Sequence, residues 1–171
     1  LRTNTTLTAL DVSENRGMCD ARAVEKLVEG IHTNATLTFI DVQLCGIESD
    51  ANLRALADAI NGSVASALGC VACRFFPHLR PETTHLRLQM TKSEAAVVPY
   101  GAFQLLAACV GRNTSLLSLD LTRCPLKRRL GRCFAEALAL NRSLRELNLG
   151  RTGLDDAVGR SLGAMLYEND S

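Results

Sequence analysis

Two cysteines and two histidines in one stretch of the chain carry side chains that a metal site could use. Cys70 and Cys73 form a Cys-x-x-Cys pair, and His78 and His85 follow them. Two thiolates and two imidazoles can complete the tetrahedral shell of a zinc ion. Zinc is the weaker interpretation, because the two histidines are far apart and His85 falls in a strand pattern. A redox pair is weaker still, since the cysteines have no strand-to-helix setting.

The stretch around these cysteines, residues 64–82, interrupts the regular spacing of the chain and is predicted to be a protruding insertion. It contains the apolar side chains of Phe75, Phe76 and Leu79. Two interpretations of them stay open. They fold back onto the edge of the domain, or they dock on a protein partner, since loops on rigid scaffolds commonly carry binding contacts.

Six asparagines begin an Asn-x-Ser/Thr tripeptide, the acceptor pattern for N-glycosylation. All six lie where a helix pattern ends and the next strand pattern begins, a place that favours Asn in a left-handed conformation followed by Ser or Thr. We therefore interpret them as caps of chain reversals rather than as glycan sites. They are Asn4, Asn34, Asn61, Asn113, Asn141 and Asn169.

Catalytic motifs are absent from the sequence, which has no phosphate loop, no GxSxG and no HExxH. Acidic residues such as Glu25 and Asp58 fall on predicted helix faces, where a solvated surface is the default. We predict a protein that is not an enzyme and that uses no cofactor and no metal.

A basic run made of Lys127, Arg128, Arg129 and Arg132 follows Pro125 in a predicted loop and first helical turn. No aromatic residues alternate with these cations, as they would in a site for single-stranded nucleic acid. The run is better interpreted as a solvated ridge or as a ridge that binds an acidic partner.

Composition limits the remaining classes of function. The net charge of +1 gives no general attraction to nucleic acid or to an anionic membrane, and no apolar run is long enough for a membrane helix. We predict partners that are neither nucleic acid nor membrane. Seven cysteines, an odd number without a pairing scheme, indicate reduced thiols and a cytoplasmic location.

A repeated unit must position all of these residues. In its last copy, Leu144, Leu147 and Leu149 form an LxxLxL strand pattern, and Leu154, Val158 and Leu162 continue at helical spacing. Neither half can bury its apolar side alone, so each unit needs neighbours stacked on it. Similar units begin near residues 7, 37, 83, 116 and 144.

These units resemble leucine-rich repeats, and their length with a full helix in each resembles the ribonuclease-inhibitor-like subtype. The resemblance implies an α/β leucine-rich-repeat solenoid, a curved arc with a parallel β-sheet on the concave face and helices on the convex face. We expect residues 1–171 to form a single segment of about five repeats, with the insertion at about 64–82, taken from a longer solenoid.

The strand frame identifies the side chains that should face outward on the concave sheet. They run from acidic, through an apolar middle containing Phe39, Leu44 and Met90, to basic, and apolar centres flanked by charge are typical of protein-binding surfaces. The predicted partner-binding residues are Asp11, Glu14, Phe39, Asp41, Leu44, His85, Arg87, Met90, Asp120, Arg123, Arg145, Glu146 and Arg151.

The function favoured by these observations is a non-catalytic protein-binding module or scaffold in a larger intracellular assembly, with a cytoskeletal structure, cilium or flagellum as candidate settings. Its protein partner is expected on the concave face or on the insertion. The alternative is a regulatory leucine-rich-repeat domain of a GTPase-activating protein or of a nucleotide-dependent sensor, which flanking domains would reveal.

Overall fold

Short parallel strands alternate with helices along the chain. The computed structural model describes residues 1, 3–18 and 20–168. Within them the strands are β1 (Ala9–Asp11), β2 (Phe39–Asp41), β3 (Cys70–Ala72), β4 (His85–Arg87), β5 (Ser118–Asp120) and β6 (Glu146–Asn148). The helices are α1 (Ala21–Thr33), α2 (Asp50–Gly62), α3 (Lys92–Val97), α4 (Tyr100–Arg112), α5 (Arg129–Leu140) and α6 (Asp156–Glu168).

The strands form two parallel three-stranded sheets, β1-β2-β3 and β4-β5-β6. In the second sheet Leu86, Leu119 and Leu147 lie side by side in register. The middle residue of each strand faces the helices, and Leu86 and Leu119 are buried in the core. Because side chains alternate along a strand, the first and third residues of each strand lie on the opposite face. We call this the open face.

The helices owe their positions to apolar stripes and, in most cases, to capping residues. Asp20 and Ser49 accept hydrogen bonds from the first turns of α1 and α2, and Thr91 forms a capping box with Glu94 at α3. In the described residues, none of the helices is both long and apolar enough to cross a bilayer.

The insertion expected at 64–82 is not a protruding loop. Cys70, Val71 and Ala72 form β3 and pair with β2 in parallel register, so this stretch adds a strand to the first sheet. The strand was not predicted because Cys70 and Ala72 stand where β2 has Phe39 and Asp41, so only Val71 follows the pattern of the other strands. Phe76 and Leu79, which follow β3, are buried in the core, so of the two interpretations the structure supports folding back.

A helix is missing between β3 and β4. The chain passes from β3 through residues 74–84 directly into β4, and α2 packs against α4, which comes after β4 and the short helix α3. Gly101 lies at this contact and its backbone N–H donates to the Asp50 carboxylate, 2.6 Å between N and Oδ1. Two strands, β3 and β4, therefore lie between α2 and α4 in the chain, whereas one strand lies between α1 and α2 and one between α4 and α5.

The asparagine junctions have the predicted role but not the predicted conformation. Asn34, Asn113 and Asn141 end helices with φ between −85° and −70° and ψ between 128° and 136°, which is extended and not left-handed. Their side chains explain the choice of residue. The Asn141 amide donates to the carbonyls of Val110 and Asn113, and its Oδ1 accepts from the N–H groups of Ser143 and Leu144.

One of the described sites departs from this pattern. Asn61 is exposed within α2, and Ser63 caps that helix instead, with its hydroxyl donating to the His32 carbonyl and accepting from the N–H groups of Ala65 and Ser66. Asn169 lies outside the described residues. Asn4, in contrast, accepts hydrogen bonds from two following N–H groups as expected.

Buried junction asparagines are expected to carry no glycan. The Nδ2 atom that a glycan would modify is a hydrogen-bond donor in Asn34, Asn113 and Asn141, and these side chains are 2–4% exposed. Mass spectrometry of natively purified, folded protein should find all three sites unmodified. A glycan at any of them would overturn both the capping role and the cytoplasmic assignment.

Candidate protein-binding surface

Most of the predicted partner-binding residues are exposed on or beside the open face. The exposed ones are Asp11, Glu14, Leu44, His85, Arg87, Arg123, Arg145, Glu146 and Arg151, and Asp120 is half-buried. The prediction of exposure is wrong for Phe39, Asp41 and Met90, which are buried. The open face therefore keeps its acidic and basic ends but has no continuous apolar middle.

Residues 74–84, which we call the strap, explain why Phe39 and Asp41 are buried. The Arg80 guanidinium lies 5.3 Å from the centroid of the Phe39 ring, and its Nη2 is 2.6 Å from Oδ2 of Asp41. The Asp41 side chain is only 3% exposed. Sequence frames identify which face a side chain occupies but not which later segment covers it, so the strand register was right and the exposure was wrong.

Leu44 alone of the three expected apolar residues is exposed, at 49%. Met90 is 8% exposed and belongs to the main hydrophobic core. A single exposed leucine is ordinary on a protein surface. The apolar centre predicted for partner binding does not exist in this structure.

Substituting Phe39 with Asp is expected to destabilise the protein by about 3 kcal/mol or more, because the change removes a buried ring and places a second carboxylate beside Asp41. Leu44→Asp is the matched control. Leu44 is exposed and has a φ of 55°, which Asp tolerates better than Leu, so its stability should change by about 0.5 kcal/mol or less. Urea unfolding measures both. Equal stability of the two variants would mean that the strap does not cover Phe39 in solution.

Carboxylate and amide side chains close the ends of four strands. Oδ1 of Asp11, Asp41, Asp120 and Asn148 accepts a hydrogen bond from the backbone N–H two residues later, at 2.8–3.0 Å. Local bonds of this kind turn the chain out of the strand. The predicted binding residues Asp11, Asp41 and Asp120 thus have a structural role.

Left-handed residues follow at the eighth position of the repeat. Glu14, Leu44, Arg123 and Arg151 have φ values between 55° and 67°. Non-glycine residues adopt this conformation at a cost, so the turn is imposed by the hydrogen bonds on either side of it, such as Glu14 N–H to the Gln43 carbonyl at 2.9 Å. These side chains lie beyond the strands, and all four are exposed.

The second sheet carries a groove of about 430 Å³ on its open face, lined by residues of β4, β5 and β6. Its exposed side chains include His85, Arg87 and Glu146, with Asp120 between them. Arg87 Nε lies 3.3 Å from Oδ2 of Asp120. The Thr84 hydroxyl lies 2.9 Å from Nδ1 of His85. Both signs of charge and a histidine thus meet on one face of three paired strands.

A basic rim borders the carboxyl ends of β5 and β6. Arg123, Lys127 and Arg151 line one depression there together with Pro125 and Gly153. Gly153 has a φ of 74°, and a side chain at this position would meet Lys127. The rim places its cations beside the mixed-charge groove, so acidic groups on a partner would be attracted to this end.

Hydrogen bonds from the Thr122 side chain and backbone lower the pKa of the Asp120 carboxyl below its usual value of 3.8, and the positive charge of Arg87 lowers it further. Thr122→Val should therefore raise this pKa more than Arg87→Ala does. A depressed folded-state pKa adds stability above pH 4 that is lost as the pH falls through the folded value. Titration of the Asp120 carboxyl by NMR measures the pKa. A larger shift with Arg87→Ala would reverse the order of these causes.

The cysteines and histidines considered for zinc are not assembled as a site. No group of three or more potential metal ligands occurs within the part of the chain that the structure describes. Burial raises the pKa of both Cys70 and Cys73 to about 11, which keeps these thiols protonated. Cys70 instead accepts a hydrogen bond from the Asn113 amide at 3.1 Å.

Comparisons with known proteins agree with the repeat pattern. Residues 3–18 and 140–162 match the leucine-rich repeat family model. Over 65 residues the chain is 40% identical to Protein TORNADO 1 of Arabidopsis thaliana, a match that covers 38% of this chain and 5% of that protein. The chain thus spans a small part of the length of this relative. The two matched segments are thus similar to leucine-rich repeats, and the subtype stays undecided.

Two solved structures are similar at low sequence identity. The tropomodulin C-terminal domain of Caenorhabditis elegans has a TM-score of 0.42 and 13% identity, covering 97% of this chain and 86% of that one. Leiomodin-1 actin-binding site 2 has a TM-score of 0.34 and 13% identity, covering 93% and 79%. Neither likeness identifies a partner for this chain.

Proposed function

We propose that this chain is a leucine-rich-repeat protein that acts as a non-catalytic protein-binding module through the open face of β4, β5 and β6. The groove on this face carries the proposal, because three strands in register present His85, Arg87 and Glu146 to solvent. The partner is a protein whose surface offers both carboxylates and cations.

The scaffold under the groove is rigid enough to hold these side chains in place. Leu86 and Leu119 are 4% and 1% exposed and pack in the core directly beneath them. Binding groups that are fixed before the partner arrives lose less conformational freedom on association. A rigid strand face with exposed polar groups therefore suits recognition of a folded protein surface.

Charge on the basic rim supports a partner with an acidic edge. Arg123 and Arg151 lie next to the groove at the carboxyl ends of β5 and β6, and both are exposed. Rim charges mainly accelerate association and fix orientation, and they become less effective as salt increases. The proposed module should thus bind its partner faster at low ionic strength.

We propose that the repeats form part of a curved solenoid of the ribonuclease-inhibitor-like subtype, with the open face on its concave side. The module would serve a cytoplasmic assembly, such as a cytoskeletal or flagellar structure, without contacting nucleic acid or membrane.

The test compares two double variants with the same change in charge. Arg87→Ala with Glu146→Ala alters the open face, and Arg22→Ala with Glu25→Ala alters exposed residues of α1. Quantitative affinity capture from the source cells should recover a partner with the wild-type chain and the α1 variant. The amount of partner recovered should fall about tenfold or more with the open-face variant. Equal recovery by both variants would exclude this face as the binding surface.

A further inference from the structure

We propose that the groove between α5 and α6 is a second binding site, which takes an acidic protein segment through its aspartate and glutamate side chains. Four arginines line it, Arg128, Arg129 and Arg132 from the start of α5 and Arg160 from α6. This groove lies among the helices, whereas the groove of the proposed function lies on the strands.

The charge of the groove is almost entirely of one sign. Among the residues that the structure describes, Asp155 is the one acidic residue that lines it. Its Oδ1 accepts a hydrogen bond from the N–H of Val158 at the start of α6. Arg132 has an exposed partner in Glu136 at 3.2 Å. Among the described residues, no carboxylate lies within 4.0 Å of the guanidinium groups of Arg128, Arg129 and Arg160. Carboxylates are the groups that such planar forks bind in pairs.

The start of α5 is locally unfavourable in the unbound protein. Arg128 has a φ of 48° and a ψ of −119°, a conformation that favours glycine, and it makes no side-chain cap. The first turn of α5 contains arginine and no acidic residue, although the amino end of a helix repels cations. Positions that break several local rules together are expected where function requires them. Bound carboxylates would relieve the repulsion.

The shape and lining of the groove favour a protein segment over other anionic partners. Its volume is about 590 Å³, within the range of specific ligand sites, and Ala157, Val158 and Ala164 supply an apolar floor. No aromatic residue lines it for stacking of bases. Val158 is 2% exposed, so no large apolar side chain here projects toward a lipid surface. An acidic segment with small apolar side chains would match both the positive charge of the arginines and the apolar floor of the groove.

A labelled peptide of alternating glutamate and alanine is the probe, because its apolar side chains are small enough for the floor of the groove. Fluorescence anisotropy with the 171-residue chain should show salt-sensitive binding, and Arg128→Ala with Arg160→Ala should weaken it about tenfold or more. The control, Arg16→Ala with Arg22→Ala, removes the same charge from exposed positions elsewhere and should leave affinity within about twofold. Equal loss in both double variants, or no binding by the wild type, would overturn the proposal.

Two further arms distinguish the type of partner and the role of Arg128. A single-stranded oligonucleotide and phosphatidylserine vesicles should bind more weakly than the peptide, and tighter binding of either would refute an acidic protein segment. Arg128→Gly should raise Tm by about 2–4 °C, because glycine adopts this backbone conformation without strain. The same substitution should still lower the affinity for the peptide. A purely structural Arg128 would lose stability on substitution and leave peptide affinity unchanged. Arg87→Ala with Glu146→Ala should leave peptide affinity unchanged. A failure of this second site can therefore be told apart from a failure of the proposed function of the open face.

Discussion

Replacing Asn141 with Ala is expected to destabilise the protein by about 4 kcal/mol or more, a large part of the stability of an ordinary domain. The side chain is 2% exposed and joins two repeats. Its removal leaves the backbone N–H groups of Ser143 and Leu144 without their acceptor. It also takes one of two donors from each of the carbonyls of Val110 and Asn113. Each buried polar group left unpaired costs about 1–3 kcal/mol. Chemical denaturation monitored by circular dichroism measures the loss.

Asn61→Ala is the control for this substitution. Asn61 belongs to the same Asn-x-Ser/Thr series but is exposed near the end of α2, where Ser63 makes the junction bonds. Its replacement should alter stability by about 0.5 kcal/mol or less. If Asn61→Ala were as damaging as Asn141→Ala, the junction role would belong to the sequence motif and not to the buried hydrogen bonds.

Replacing Gly101 with Ala is expected to cost about 3 kcal/mol and to lower Tm by about 6–12 °C. A Cβ at this position would overlap the backbone carbonyl of Asp50 and lie 2.9 Å from the backbone N of Arg54. Backbone atoms cannot rotate away as a side chain can, so α4 must move from α2. That movement also weakens the bond between the Gly101 N–H and the Asp50 carboxylate.

The same substitution at Gly159 should have the opposite sign. Gly159 lies inside α6, and a Cβ added there would have no atom of the described residues within 4 Å, apart from those of its own helix and chain neighbours. Ala favours a helix over Gly by about 0.5–1 kcal/mol, so Gly159→Ala should raise Tm by about 1–4 °C. Thermal melts of both variants test the pair, and a stabilised Gly101→Ala would show that α2 and α4 are less tightly packed than described.

Repeated leucines make the architecture readable from the sequence. Leucine spacing identifies which residues of a strand face the helices, and the paired positions Leu119 and Leu147 agree with it. Helix ends are equally clear, since Asn34, Asn113 and Asn141 each follow a helix directly. Local patterns predict these features because each depends on contacts within one repeat or with the next.

Features that depend on distant segments were not predictable in this way. β3 is a strand because it pairs with β2, although its Cys and Ala residues carry no strong strand pattern. Phe39 is buried because Arg80 reaches it from another part of the chain. The candidate groove was partly predicted, since His85, Arg87 and Glu146 were among the expected residues, but the arginine groove of α5 and α6 requires two helices to be placed together.

The absence of a helix between β3 and β4 has a consequence for how the protein opens. No ladder joins the two sheets in the described residues, so backbone hydrogen bonds hold each half together and side chains hold the halves to each other. Structural units divided in this way tend to exchange their amide protons as separate cooperative groups. The contact between α2 and α4 then holds the two halves together, and the missing side chain at Gly101 lets these helices pack closely.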